Sequence, residues 1–248
     1  NNDFIIKNNK ESIIVDGKIF DATILLKELD EPEKNNNFLK KISKNIEVDF
    51  SKVLTDTEFP FNKFRMVGLL KKGRLEKISA KSEFEEDKFL DIAIKKEKNT
   101  NMSLVEIYSD IARPLVNSYD FFEGLEGGNL TYSSKSNNKK SSGVLEIKNF
   151  KLNKAPGLAK LLSLADLKGL TDALRGDGIS FDSLVIKYES SSTWMDIKEI
   201  FIIGPSISVL VEGYFDKKKN ILSLRGTLVP AKTLNNIVSK IPVVGDIL

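Results

Sequence analysis

The side chains that do most enzymatic chemistry are missing from this chain: its 248 residues include no histidine and no cysteine. The first absence removes the commonest general base, the commonest zinc ligand and every Ser-His-Asp arrangement. The second removes thiolate nucleophiles, iron–sulfur ligation and disulfides. Carboxylate chemistry or a Ser-Lys arrangement is left. Asp177, Asp182 and Asp196 lie in the C-terminal third, but no spacing sets two of them against a defined partner. They read as turn and strand-end acids. No catalytic residue, metal site or cofactor is expected, and the chain reads as non-enzymatic.

Charge adds little to this picture. Thirty-eight basic and 35 acidic residues are interspersed to a net +3. The short runs Lys139-Lys140 and Lys217-Lys218-Lys219 read as solvated turns, and no concentrated basic face for nucleic acid is visible. No apolar run approaches the ~20 residues that span a bilayer. The chain opens at Asn1 and stops at Leu248 inside an apolar stretch. A piece of a longer polypeptide is expected, with any anchor outside it.

The elements that must position any site are strands. Residues 179–189, 194–205, 206–216 and 221–230 are four strand-like runs bounded by turn signals. Upstream, Phe20, Ala22, Ile24 and Leu26 alternate with Asp21, Thr23, Leu25 and Lys27. The period of two recurs at Ile46/Val48/Phe50, at Phe64/Met66/Leu70 across Gly68, at Ile78/Ala80/Phe84 and at Leu90/Ile92/Ile94. Residues 31–37 and 133–142 read as polar loops, with a helical turn over 38–43. Helical spacing appears in 109–122, in 156–175 (with Asp166 capping a second short helix after a bend) and in 232–241, which Pro242 ends.

The pattern predicts a mainly β chain: a long, curved antiparallel sheet forming an apolar groove, with a few short amphipathic helices. Residues 1–102 would form a β-repeat part, and 103–248 a C-terminal region continuous with the same sheet. About ten strands at ~4.8 Å make a sheet roughly 48 Å wide, which must curl, close or split. Inward-facing positions expected to line the groove are Leu184, Ile186, Val209, Val211, Leu222, Leu224 and Leu228, continued upstream by Val48, Phe50, Ile92 and Ile94. Lys187 and Glu212 should face outward. A bulge is expected near Glu199, where the alternation slips between Ile197 and Ile200. A closed β-sandwich core would need the same apolar face, and alternation alone leaves both readings open. The Leu-rich helix at 156–175 fits first a helix packed on the sheet as core, and second one that gates the groove or touches a bilayer.

The order of five segments carries a resemblance: LEGGNLTY from 125, GVLEIKNFKL from 143, APGLAKLLSLADLKGLTDAL from 155, GDGISFDSL from 176 and LRGTLVPAKTLNNIVSKIPVVGDIL from 224. From about residue 103 onward the chain resembles the C-terminal region of the AsmA-like superfamily, and within it the large YhdP-type proteins of Gram-negative bacteria. That resemblance implies a bridge-like carrier anchored in the inner membrane, with this part in the periplasm. Such a carrier moves phospholipid toward the outer membrane along an apolar β-groove. It implies no catalytic residue. A structural scaffold for outer-membrane assembly, using exposed sheet edges or the terminal helix, is the alternative. In either case the face formed by Leu234, Ile237, Val238 and Ile241 would meet a membrane surface or an envelope partner, or only cap the sheet edge.

Overall fold

The computed structural model describes residues 2–23, 42–55, 58–72, 74–85, 87–97, 102–117, 119–137, 139–153, 155–164 and 168–230. Thirteen strands pair in sequence order into one sheet: β1 (Asp3–Asn8), β2 (Ser12–Asp21), β3 (Lys44–Leu54), β4 (Phe61–Lys71), β5 (Arg74–Glu83), β6 (Phe89–Lys96), β7 (Ser103–Ser109), β8 (Leu125–Ser136), β9 (Lys140–Leu152), β10 (Ile179–Ser191), β11 (Trp194–Ile203), β12 (Ile207–Asp216) and β13 (Ile221–Pro230). The described strands therefore form a single sheet, and the sandwich reading, which needs two, falls. β6 and β7, on either side of residue 102, are paired neighbours. A sheet this wide accumulates the twist of every strand pair, so its apolar face is a curved trough rather than a plane.

Four sequence expectations need correction. First, β2 and β3 run parallel, not antiparallel, so the chain crosses over between Ala22 and Ile42. A parallel pair needs a connection of a dozen or more residues, and this stretch supplies it. Second, the run from Phe20 stops early: β2 ends at Asp21, and Ile24, Leu26 and the 31–37 loop lie outside the described residues. Third, most of the expected 133–142 loop is strand. β8 and β9 run on to Ser136 and Lys140, and Asn137 closes a tight hairpin by accepting the backbone N–H groups of Lys139 and Lys140 on its Oδ1 (2.9 Å each). Fourth, 109–122 is no continuous helix. It holds β7's last residue, the single turn α1 (Arg113–Val116) and a 3-10 turn at Asp120–Phe122.

The Leu-rich segment does form two helices, α2 (Pro156–Leu164) and α3 (Lys168–Arg175), with Asp166 outside the described residues. Pro156 opens α2, where a missing N–H costs nothing. Gly176 closes α3, its N–H bonded to the Asp172 carbonyl at 3.0 Å. Leu158 and Leu162 of α2 and Leu174 of α3 are wholly buried against Leu130, Ile147, Leu184, Ile202 and Val209 of the sheet. A second cluster sits at the other end, where Phe50 and Val53 pack with Phe4, Phe20 and Phe61. The Phe20 and Phe50 rings stack at 5.2 Å.

Candidate functional site

Cross-strand register defines what the trough offers. One rank of direct partners crosses every strand: Ile6, Val15, Val48, Met66, Ala80, Ile92, Ile107, Tyr132, Leu145, Ile186, Ile200, Val211, Gly226. No residue in it is charged. Paired residues point to the same side of a sheet, so this is one continuous apolar strip. Thirteen strands at ~4.8 Å make it roughly 60 Å long.

The expected lining residues all fall on this face. Val48, Ile92, Ile186 and Val211 are members of the strip. Phe50, Leu184, Val209 and Leu228 lie one rank toward the helices: Leu184 pairs with Ile202, Ile202 with Val209, and Val209 with Leu228. Ile94 and Leu224 lie one rank the other way, and Leu222 one further, opposite Phe215. They are not equally available. Leu184 (0 % exposed) and Val209 (6 %) are sealed under α2 and α3, and Phe50 is buried in the aromatic cluster, whereas Leu222 (57 %) and Leu224 (44 %) are open. The structure thus separates a helix-covered rank from an accessible one, which alternation could not do.

The opposite face carries cross-strand ion pairs, beside a few exposed apolar residues such as Val67 and Leu210. Lys187 meets Glu199 at 2.8 Å, Arg225 meets Glu212 at 2.7 Å, Lys81 meets Asp91 at 3.2 Å and Arg65 meets Asp49 at 3.1 Å. Lys187 and Glu212 are therefore on the far side from Ile186 and Val211. The register shifts between Ile197 and Ile200, with Lys187/Tyr188 opposite, leave Lys198 unpaired beside Glu199 as the bulge and keep Ile197 and Ile200 on one face. Asp177 and Asp182 are exposed, and Asp196 is held by Lys198 at 2.5 Å. No two of these three acids share a site. The hydrogen bond from Lys198 to Asp196, then that to Glu189, raises the Lys198 pKa. Among the described residues no cluster of Asp and Glu is placed to hold a metal ion, and no helix is long and apolar enough to cross a membrane. The terminal segment with Leu234, Ile237, Val238 and Ile241 lies outside the described residues.

Two features escaped sequence reading. The first is a polar break in the trough: the Tyr132 and Tyr188 hydroxyls share a 2.7 Å hydrogen bond across β9. Gly143 lies beneath them, and a Cβ there would stand 2.8 Å from the Tyr188 ring. Burial first, and the bond to Tyr132 second, push the Tyr188 pKa above the usual tyrosine range. The second is charge polarity along the strands. Successive hairpins turn at alternate rims, so Lys71-Lys72, Lys95-Lys96, Lys139-Lys140 and Lys217-Lys218-Lys219 gather on one rim. Glu83, Glu85, Asp87, Asp110, Glu123 and Glu126 lie on the other. The signal was present as lysine runs in the β4–β5, β6–β7, β8–β9 and β12–β13 turns, where Glu76 and Asp216 pair with some of them, and only topology puts them on one rim.

Compared with protein-family models, curated proteins and solved structures, the chain matches none. Its function must be argued from the trough itself.

Proposed function

We propose that this chain is a non-enzymatic lipid carrier, in which acyl chains lie along the apolar face of the sheet. The observation that carries the reading is the charge-free rank from Ile6 to Gly226, unbroken across thirteen strands. A ligand site for specific chemistry is compact and has a few convergent polar groups. This rank is long and charge-free, with the Tyr132 hydroxyl as its polar side-chain group, and a chain can slide along it because hydrophobic attraction has no direction. Each methylene moved from water onto it stabilises the complex by about 0.8 kcal/mol.

The resemblance to YhdP-type proteins agrees with this reading. It adds a proposed setting in the periplasm, anchored to the inner membrane by a segment outside this chain, with phospholipid moving toward the outer membrane. The alternative, a scaffold for envelope assembly, would use β1 and β13, the edge strands among the described residues, and has no need of an accessible apolar rank. Solvent extraction of the purified protein followed by mass spectrometry separates the two. Phospholipid held at a reproducible ratio supports the carrier, and protein that purifies free of lipid supports the scaffold.

A further inference from the structure

The trough changes character along the strand direction at β8, β9 and β10. Nearest the helices the paired layer is Leu130, Ile147 and Leu184, all buried. The next is Tyr132, Leu145 and Ile186, and then Ser134, Gly143 and Tyr188. The last paired layer is Ser136, Ser141 and Ser190. Beyond it lies the lysine rim. Lys217, carried on the β12–β13 turn, reaches over this end. Its ammonium donates to Ser190 Oγ at 2.6 Å and to the Ser191 carbonyl at 2.7 Å. Hydrocarbon, then hydroxyl, then cation is thus the order met within about 20 Å of strand.

That order matches one class of ligand. A lipid whose acyl chains occupy the apolar layers has its ester oxygens next and its phosphate after them. In the Tyr132–Tyr188 pair one hydroxyl donates to the other, so one phenolic hydrogen remains to be given to an outside acceptor such as an ester carbonyl. Two bonds of the Lys217 ammonium are described above, and its third N–H can turn to an anionic oxygen. Two residues along β10 separate Tyr188 from Ser190, about 7 Å. The few bonds between ester and phosphate in a glycerophospholipid cover a similar gap. We propose that this end of the trough is a headgroup subsite, in which the tyrosine pair takes the ester oxygens of a glycerophospholipid and Lys217 takes its phosphate. The subsite rests on the acyl-chain reading above and adds the ligand's class and its orientation. The phosphate points to the lysine rim and never to the acidic one.

The test uses the full chain loaded with a fluorescent fatty-acid probe. Dioctanoyl-phosphatidylglycerol, dioctanoylglycerol, the diether analogue of the phospholipid and glycerol 3-phosphate are titrated in as competitors. The phospholipid should displace the probe at a concentration tenfold or more below that for dioctanoylglycerol, as charged hydrogen bonds to the phosphate require. The Lys217→Gln protein should lose that advantage and keep wild-type affinity for dioctanoylglycerol. A Tyr132→Phe/Tyr188→Phe protein should bind the diester several-fold more weakly and the diether unchanged. Probe binding with equal displacement by both dioctanoyl lipids, or an advantage that survives Lys217→Gln, overturns the subsite and leaves the carrier reading standing. Failure of the probe and of every lipid to bind brings down both. Lysine-dependent binding of glycerol 3-phosphate without any lipid binding marks a free-phosphate site and also overturns the proposal.

Discussion

Val211→Asp puts a carboxylate into the apolar rank between Ile200 and Gly226. Val211 is half-buried at the margin of the helix-covered core, so losing its contacts costs about 1 kcal/mol, roughly half the value for full burial. In the empty protein the carboxylate still meets water, and the fold should survive with a modestly lower Tm. Under an acyl chain the same carboxylate is desolvated, at a cost of several kcal/mol. At about 0.8 kcal/mol per methylene this offsets roughly four or more methylenes, so lipid retention should fall about a hundredfold. Glu212→Gln, one residue on, is the control. Glu212 sits on the other face in an exposed pair with Arg225, and its loss should change stability by at most about 1 kcal/mol and lipid retention not at all. Thermal melting alongside phospholipid quantification after gel filtration reads both quantities. A Val211→Asp protein that melts within a few degrees of wild type and carries a full lipid load would refute the reasoning.

Other outcomes follow from the same geometry. Gly143→Val should drive the Tyr188 ring off β9 and destabilise the sheet by about 1–3 kcal/mol in urea unfolding, as over-packing does. Leu162→Ala empties a wholly buried site between α2 and the sheet and should cost about 2–5 kcal/mol by the same assay. Asp110 accepts from the Tyr108 hydroxyl at 2.6 Å and from the Phe89 N–H at 2.8 Å, and these bonds, the first the larger, hold its pKa below the ordinary carboxylate value. Its stabilisation is therefore complete above the unfolded-state carboxylate pKa and lost as pH falls through the lower folded value. Urea midpoints taken from pH 6 down to pH 2 should show this loss, and Tyr108→Phe should reduce it.

Much of the fold was legible because a half-buried strand writes its period into the sequence. Ile46/Val48/Phe50, Leu90/Ile92/Ile94 and the four C-terminal runs needed nothing beyond alternation, and the bulge beside Glu199 was visible as one missed beat. The failures have physical causes. Ser103–Ser109 and Asp3–Asn8 went unread: the first is short and adjoins residues with helical spacing, and the second has Ile5 and Ile6 on opposite faces of an edge strand. Ser133 to Ser136 looks like loop because it is polar, yet those residues complete ladders to β7 and β9 whatever their side chains. The parallel β2–β3 pair is invisible locally, since strand direction depends on a long connection and not on the pattern within either strand. For the site, the sequence supplied the apolar face but not its gradations. Leu184 and Leu224 alternate identically, and only packing shows that helices seal one and leave the other open.

The central claim is that one face of this sheet touches acyl chains and the other does not, and neighbouring positions on one strand test it directly. A photoactivatable phenylalanine analogue is placed in turn at Ile92, Asp91, Ile186 and Lys187, and lipid adducts are read by mass spectrometry after irradiation in living cells. The account predicts phospholipid adducts from Ile92 and Ile186 and none above background from Asp91 and Lys187. Equal labelling of both faces, or none from either, would contradict it.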